Sequence, residues 1–231
     1  LLTGGEPLLY PGFRELYLKL QELGMILTLN TNGTLIDEDW AAFFGEHRPR
    51  RVNITLYGAS EATYRSLCRY EGYEKTVRAI KLLRAHDVDV KINGSVVREN
   101  FQDMEAMYAL AKELDVPVHM DTYMLPGLHD RLLPIDQQSR LSPEDAAWAE
   151  LQTMKNEYPA EIYEDYRQRK LKQLREPVAS PCNISCMAAH CSFTINWQGR
   201  MKPCVMQPEP AVSVFDMGFE IENHTWSHAR I

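Results

Sequence analysis

No run of apolar residues in this 231-residue chain approaches the ~20 that a membrane-crossing helix needs. No basic, apolar and small-residue leader opens it either, although a start inside a longer chain would hide one. There is no basic surplus: 25 Lys and Arg stand against 32 Asp and Glu, a net charge of −7. That removes the electrostatic footprint of a nucleic-acid binder and says mainly that the protein is soluble. Collagen-like repeats and disorder-prone composition are absent too, so enough apolar residues remain for a sizeable core. What is missing among the cysteines is a disulfide framework. There are five, and four of them crowd into positions 182–204, a spacing that suits metal ligands better than bridges. Cytoplasm is the compartment these absences imply, with neither nucleic acid nor membrane as partner.

The start of the chain carries the densest chemistry. Leu1-Leu2-Thr3 reads as the end of a strand and runs into Gly4-Gly5-Glu6-Pro7. The glycines allow close approach to the backbone, Glu6 offers an anionic acceptor, and Pro7 stiffens the exit. On chemistry alone this is a candidate site for a cationic amine, although an ordinary strand-to-helix turn has the same letters.

Strands and helices then alternate in the rhythm of a parallel sheet with crossover helices. Phe13, Leu16, Leu20 and Leu23 recur at helical spacing, with Gly24 as a stop. Strands are predicted at 25–29, 51–56, 89–97 and 117–124, which with the opening run makes five. Helices are predicted around 38–44, at 61–68 capped by Ser60, at 73–85, and over Met104 to Leu114. After Met124 a loop-like stretch reaches Leu141. Ser142, Pro143 and Asp145 then carry the signals of a helix start, and 161–176 reads as a charged, solvated helix.

In parallel α/β folds ligands sit at the carboxyl ends of the strands. Those ends are polar here: Asn30 and Asn32, then Thr55 and Tyr57, then Asn93 and Ser95. Amides and hydroxyls of this kind can bind a ribose and a carboxylate without adding a competing charge. Each residue taken singly is as well explained as a capped strand end. Cys68 stands alone and reads as a buried small hydrophobe or an incidental thiol.

The string Thr3-Gly4-Gly5-Glu6-Pro7, with a strand before it and a helix after it, resembles the second-strand motif of radical S-adenosylmethionine (SAM) enzymes. In that family it holds the methionyl amino group of SAM. The resemblance implies a partial (β/α)6 barrel lacking its first strand, the strand that carries the Cys-x-x-x-Cys-x-x-Cys loop of the catalytic [4Fe-4S] cluster. Leu1 is not an initiator methionine, and the chain reads as a fragment from which that loop is missing. Ile54-Thr55-Leu56-Tyr57-Gly58, with Arg65 and Arg69 downstream, resembles the family's fourth-strand segment. Thr55 is then implied as a ribose contact, and Arg69, by spacing, as the partner of the SAM carboxylate. Asn93, Ser95 and the segment to Val97 are implied loosely in the adenine site, with Tyr123 and Met124 flanking it.

Near the other end, Cys182, Cys186, Cys191 and Cys204 are four soft ligands that suit an iron–sulfur cluster or zinc. Phe193 to Trp197 alternates as a strand, and Gln198-Gly199 is a hairpin turn that would return Cys204 toward Cys186. A cysteine, a hairpin with glycine, and a second cysteine separated from that glycine by four residues, matched here by Cys186, Gly199 and Cys204, resemble the start of a SPASM or twitch domain, the auxiliary-cluster module of peptide-modifying radical SAM enzymes. Cys182 and Cys191 are not required by that pattern, the further downstream cysteines of the full module are absent, and His190 is a further candidate ligand.

The domains read as a radical SAM partial barrel at 1–124, a loop and helical linker at 125–180, and at 181–231 the start of a small cysteine-rich module containing a β-hairpin. The resemblance implies an intact enzyme that reductively cleaves SAM to a 5′-deoxyadenosyl radical and abstracts hydrogen from a peptide or protein substrate, with flavodoxin or ferredoxin as electron donor. The 231 residues alone are expected to be inactive. Two other classes fit the residues: a metal-stabilised peptide-binding module, and a barrel enzyme binding phosphate at Gly4-Gly5, which the charge of Glu6 disfavours.

Overall fold

The computed structural model of the protein describes residues 1–124, 139–175, 192–204, 209 and 211–215. Two compact units emerge, one built from residues 1–124 and 136–167, the other from 125–135 and 168–231.

The first unit is an α/β fold around a four-stranded, all-parallel sheet. Its strands β1 (Thr28–Thr31), β2 (Arg51–Thr55), β3 (Val90–Ser95) and β4 (Val118–Asp121) lie in sequence order. Helix α1 (Phe13–Glu22) precedes β1, and between the strands run α2 (Glu38–Glu46), α3 (Glu61–Cys68), α4 (Tyr73–Ala85) and α5 (Met104–Glu113). Helix α6 (Pro143–Glu157) packs against β4, and α7 (Ala160–Arg175) follows it, its described side chains mostly exposed.

The helix starts are chemically explicit. Asp37 accepts from the Trp40 amide at 3.0 Å, Ser60 from that of Thr63 at 3.2 Å, and Ser142 from that of Asp145 at 3.1 Å, with Pro143 in the first turn. Each cap satisfies an amide that has no partner within its helix.

The opening run is shorter than its composition suggests. Leu2 makes one parallel bridge to Leu29: its N–H donates to Thr28 O at 2.7 Å, and its carbonyl accepts from Asn30 N at 2.9 Å. The glycines then turn the chain away, so the expected fifth strand is a single pairing. Strand β1 also lies later than the apolar letters indicate, because Met25 and Ile26 stay exposed outside the ladder while Leu29 and Thr31 are buried.

Alternation divides the sheet into two chemistries. Leu29, Val52, Ile54, Val90, Ile92 and Met120 are buried and join the helix residues Phe13, Tyr17, Phe44, Ile80, Leu83 and Met107 in one core. In α1 the inward stripe is Phe13 and Tyr17, with Leu16 and Leu23 exposed, because the Tyr17 hydroxyl reaches His47 O at 2.7 Å while its ring packs on Phe43 and Phe44. The alternate strand positions are half-buried or exposed: Asn30, Asn53, Thr55, Lys91, Asn93, Ser95, His119 and Asp121. Thr55 is the register partner of Asn93, Asn93 of His119, and Ser95 of Asp121, so these polar residues form rows across one face.

The second unit contains a three-stranded antiparallel sheet of β5 (Thr194–Ile195), β6 (Arg200–Lys202) and β7 (Val212–Ser213). The predicted hairpin is present, with shorter strands than the alternation from Phe193 to Trp197 suggests. The Asn196 carboxamide closes its turn by accepting from Gln198 N at 3.0 Å and Arg200 N at 2.9 Å. Gly199 has φ +72°, and a Cβ there would stand 2.8 Å from a carbon of the Phe215 ring, so the turn excludes other residues on two counts.

Candidate functional site

The Gly-Gly-Glu-Pro segment is tied to the end of β1 by Glu6. The side chain caps the single 3-10 turn at Pro7–Leu9, one oxygen accepting from Leu8 N at 3.1 Å and from Thr31 Oγ1 at 2.8 Å. The other oxygen accepts from Asn32 N at 2.8 Å. The network continues: Thr31 Oγ1 accepts from Gly33 N at 3.0 Å, Asn32 Oδ1 accepts from Thr34 N and Thr34 Oγ1, and Asn32 O accepts from Thr76 Oγ1. Glu6 is therefore first a strut between its own loop and the strand end. A carboxylate has about four acceptor positions. Three are filled, which leaves one, on the oxygen bonded to Asn32, for a further donor.

Beyond the strand ends lies a cleft of about 590 Å³. Asn32, Thr34, Tyr57, Ser95 and Val97 line it from the sheet; Tyr64, Leu67, Cys68 and Tyr70 line it from α3 and the turn after it. Three ionisable groups in its walls, Tyr57, Tyr64 and Cys68, are shifted toward their neutral forms. Burial pushes the Tyr57 phenol up, and the charges of Cys68 and Glu6 add to this. Burial also pushes Tyr64 up to about 12 and raises the Cys68 thiol. A half-apolar, aromatic, uncharged cleft with one carboxylate near its rim suits a ligand that joins a flat or aliphatic body to a cationic end.

The structure brings together some of the residues singled out by sequence and separates others. Glu6 and Asn32 are bonded directly, Asn30 Oδ1 accepts from Asn53 Nδ2 at 2.7 Å, and Thr55 and Asn93 are neighbours in register. Gly4 and Gly5 are exposed, and a Cβ on either would meet nothing within 4 Å, so the backbone there is open to an incoming group. Arg69 ends α3 in the left-handed conformation, φ 55°, and is exposed; its neighbours Cys68 and Tyr70 line the cleft, but it does not. Arg65 is paired with Glu71. Of the four clustered cysteines, Cys204 lies just past β6 and is half-buried, while Cys182, Cys186 and Cys191, with His190, lie outside the described residues. No group of three or more potential metal ligands occurs among the described residues.

Sequence reasoning missed several members of this surface. Asn53, Lys91, His119 and Asp121 share the polar face with the expected residues, and a strict count of every second strand position would have found them. At the sheet edge, Glu157 of α6 accepts from Met120 N at 2.7 Å and from the Tyr108 hydroxyl at 2.9 Å, and it pairs with His119 Nδ1 at 2.7 Å. Its side chain is 7% exposed. Burial raises the Asp121 carboxyl on the same face; the Tyr123 amide and His119 oppose that rise, and Glu157 adds to it.

The sequence profile of the radical SAM superfamily matches residues 1–130, more than half of the chain. The chain belongs to the radical SAM superfamily. It is 27% identical over 146 residues to the AdoMet-dependent heme synthase of Methanosarcina barkeri, covering 63% of this chain and 40% of that protein. To the PqqA peptide cyclase of Gluconobacter oxydans it is 30% identical over 142 residues, 59% of this chain and 40% of that one. The fold matches that of native anSMEcpe with bound AdoMet and Cp18Cys peptide at a TM-score of 0.63 and 24% identity, over 90% of this chain and 61% of that chain. The chain thus spans less than two thirds of the length of each.

Radical SAM membership brings two cofactors, SAM and a [4Fe-4S] cluster. The donor set around the cleft fits SAM: an open Gly4-Gly5 backbone, a carboxylate with an acceptor position to spare, and amides and hydroxyls on the strand ends. The thiolates for the catalytic cluster do not fit, because the 231 residues contain no Cys-x-x-x-Cys-x-x-Cys sequence. No helix among the described residues is long and apolar enough to cross a membrane.

Proposed function

We propose that this chain forms the SAM-holding part of a radical SAM enzyme that modifies a peptide or protein. The observation that carries the reading is the Glu6 strut. It fixes the Gly4-Gly5 backbone and one open carboxylate position beside an uncharged cleft, the arrangement an amino-acid-bearing nucleoside requires. Gly4, Gly5, Glu6 and Pro7 receive the methionyl end, and Thr55, Asn93, Ser95 and Asn30 present hydroxyl and amide groups along the polar face. Arg69, free to swing from an exposed helix end, meets the ligand carboxylate. The peptide-modifying relatives support the substrate class. When bound, the reduced [4Fe-4S] cluster supplies reductive cleavage of SAM and so the hydrogen-abstracting radical. The chain's own part is to orient SAM, exclude water with the Tyr57, Tyr64 and Leu67 wall, and keep the cleft free of competing charge.

The domain reading follows: a partial (β/α)6 barrel at 1–124, a linker at 125–180 and a SPASM-like module from 181, with Cys182, Cys186, Cys191 and Cys204 as auxiliary-cluster ligands. A flavodoxin or ferredoxin is the electron donor, and the cytoplasm the compartment. The 231 residues alone are inactive for want of the three-cysteine loop. The test is anaerobic reconstitution with iron and sulfide, followed by SAM and dithionite. The full coding sequence is expected to release 5′-deoxyadenosine and the 231 residues to release none. Release by the 231 residues would overturn the inactivity, and zinc without iron in the C-terminal module would favour a peptide-binding role instead.

A further inference from the structure

Asn100 is completely buried, and every hydrogen-bonding group of its side chain is given to the main chain. Nδ2 donates to Tyr57 O and to Ser95 O, each at 3.0 Å, and Oδ1 accepts from Val97 N at 2.8 Å. These bonds lie where the β2–β3 ladder is running out, past Leu56 N to Asn93 O at 2.9 Å. Two carbonyls there lie beyond the last ladder bond, and one carboxamide with two N–H groups bridges them. Tyr57, Ser95 and Val97 all line the 590 Å³ cleft, whereas Asn100 does not. Its own position is fixed as well: Asn100 N–H donates to Val97 O at 3.2 Å, and its carbonyl accepts from Asp103 N at 2.9 Å. Asp103 in turn accepts from Ala59 N at 2.8 Å and from Thr63 Oγ1, at the start of the helix that forms the facing wall.

We infer that Asn100 is a positioning residue for the ligand of this cleft: it sets the separation of the β2 and β3 ends, and through Asp103 their distance from α3. The inference rests on the cleft being the SAM site. Asn100→Asp is the decisive variant, because it keeps the shape and the oxygen that accepts from Val97 N but replaces two donors with an oxygen facing two carbonyls. Above the titration of that carboxyl the strand ends are pushed apart; when it is protonated, one donor returns.

The experiment is SAM binding to the 231-residue chain by calorimetry, wild type and Asn100→Asp, at pH 8 and pH 5.5. Expected at pH 8 is a weakening of about tenfold to a hundredfold, the loss of two buried hydrogen bonds, most of it recovered at pH 5.5, with no matching change in the wild type. Equal affinity at both pH values overturns the inference while leaving the SAM site standing. Absence of wild-type binding removes the SAM reading and this inference with it. Should Asn100→Asp fail to fold, exchange of the Asn100 side-chain amide hydrogens in the wild type decides: saturating SAM is expected to slow it tenfold or more, and unchanged exchange refutes the role.

Discussion

Replacing Glu6 by Gln separates the strut from the charge. The carboxylate receives three donors, Leu8 N, Thr31 Oγ1 and Asn32 N, on two oxygens. A carboxamide has one accepting oxygen. Placed toward Leu8 and Thr31, it turns an NH2 against the Asn32 N–H, donor against donor; placed toward Asn32, it abandons the other two. Thr31 cannot compensate freely, since its oxygen already accepts from Gly33 N. Either orientation leaves at least one partly buried donor unmatched and weakens the rest from charge-assisted to neutral. With the site half-buried, the cost is about 2 kcal/mol. At about 2–4 °C per kcal/mol for a unit of this size, Tm falls by about 4–8 °C. Thermal melts followed by circular dichroism read that shift, and amide exchange at Asn32 and Leu8 locates it. A Glu6→Gln protein melting within a degree of wild type, with unchanged protection at Asn32, would refute the strut.

Three further substitutions test the frame around the cleft. Gly58→Ala places a Cβ 2.7 Å from Thr63 Cβ at the start of α3, an overpacking expected to cost about 1–3 kcal/mol and to lower Tm, measured in the same melts. Glu157→Ala removes a nearly buried carboxylate that holds Met120 N, Tyr108 and His119, so a loss of about 2–4 kcal/mol is expected in urea unfolding. Asp121 has its carboxyl raised mainly by burial, so its contribution to stability is present below the ordinary carboxylate range and is lost as pH rises through the raised value. Asp121→Asn, which can still accept from Tyr123 N, is therefore expected to gain Tm relative to wild type as pH climbs from about 4 to 7. A gap that stays constant with pH would contradict the assignment.

The sequence exposed the helices well because their signals are local. Ser60 and Ser142-Pro143 announce their caps, and the structure uses both. It exposed the strands less well, because their limits are set by partners rather than by letters. Met25 and Ile26 are as apolar as Leu29, yet only Leu29 has a neighbour on each side, Leu2 and Val52, to pair with. The site divides in the same way. Gly4-Gly5-Glu6-Pro7 was legible as a loop with a carboxylate, but the three donors that claim Glu6 come from positions 8, 31 and 32, and no local pattern links position 6 to position 31.

Asn100 shows the limit most sharply. It sits in Arg98-Glu99-Asn100-Phe101, a stretch that reads as an ordinary polar turn, and nothing within it reports that its carboxamide will stand between Tyr57 O and Ser95 O. That contact exists because β2 and β3 are parallel neighbours whose ladder ends near Leu56, leaving two carbonyls to be satisfied from outside the strands. Once a parallel sheet is inferred, the question of what satisfies the carbonyls past the last ladder bond has few answers: water, a ligand, or a side chain with two donors in one plane. At a cleft that must admit a ligand while keeping its strand ends at fixed spacing, water and ligand exchange and the side chain does not. A buried carboxamide just after a strand is therefore where the rigidity of such a site should be sought, and the charged pair Arg98-Glu99 before it is a poor guide to its role.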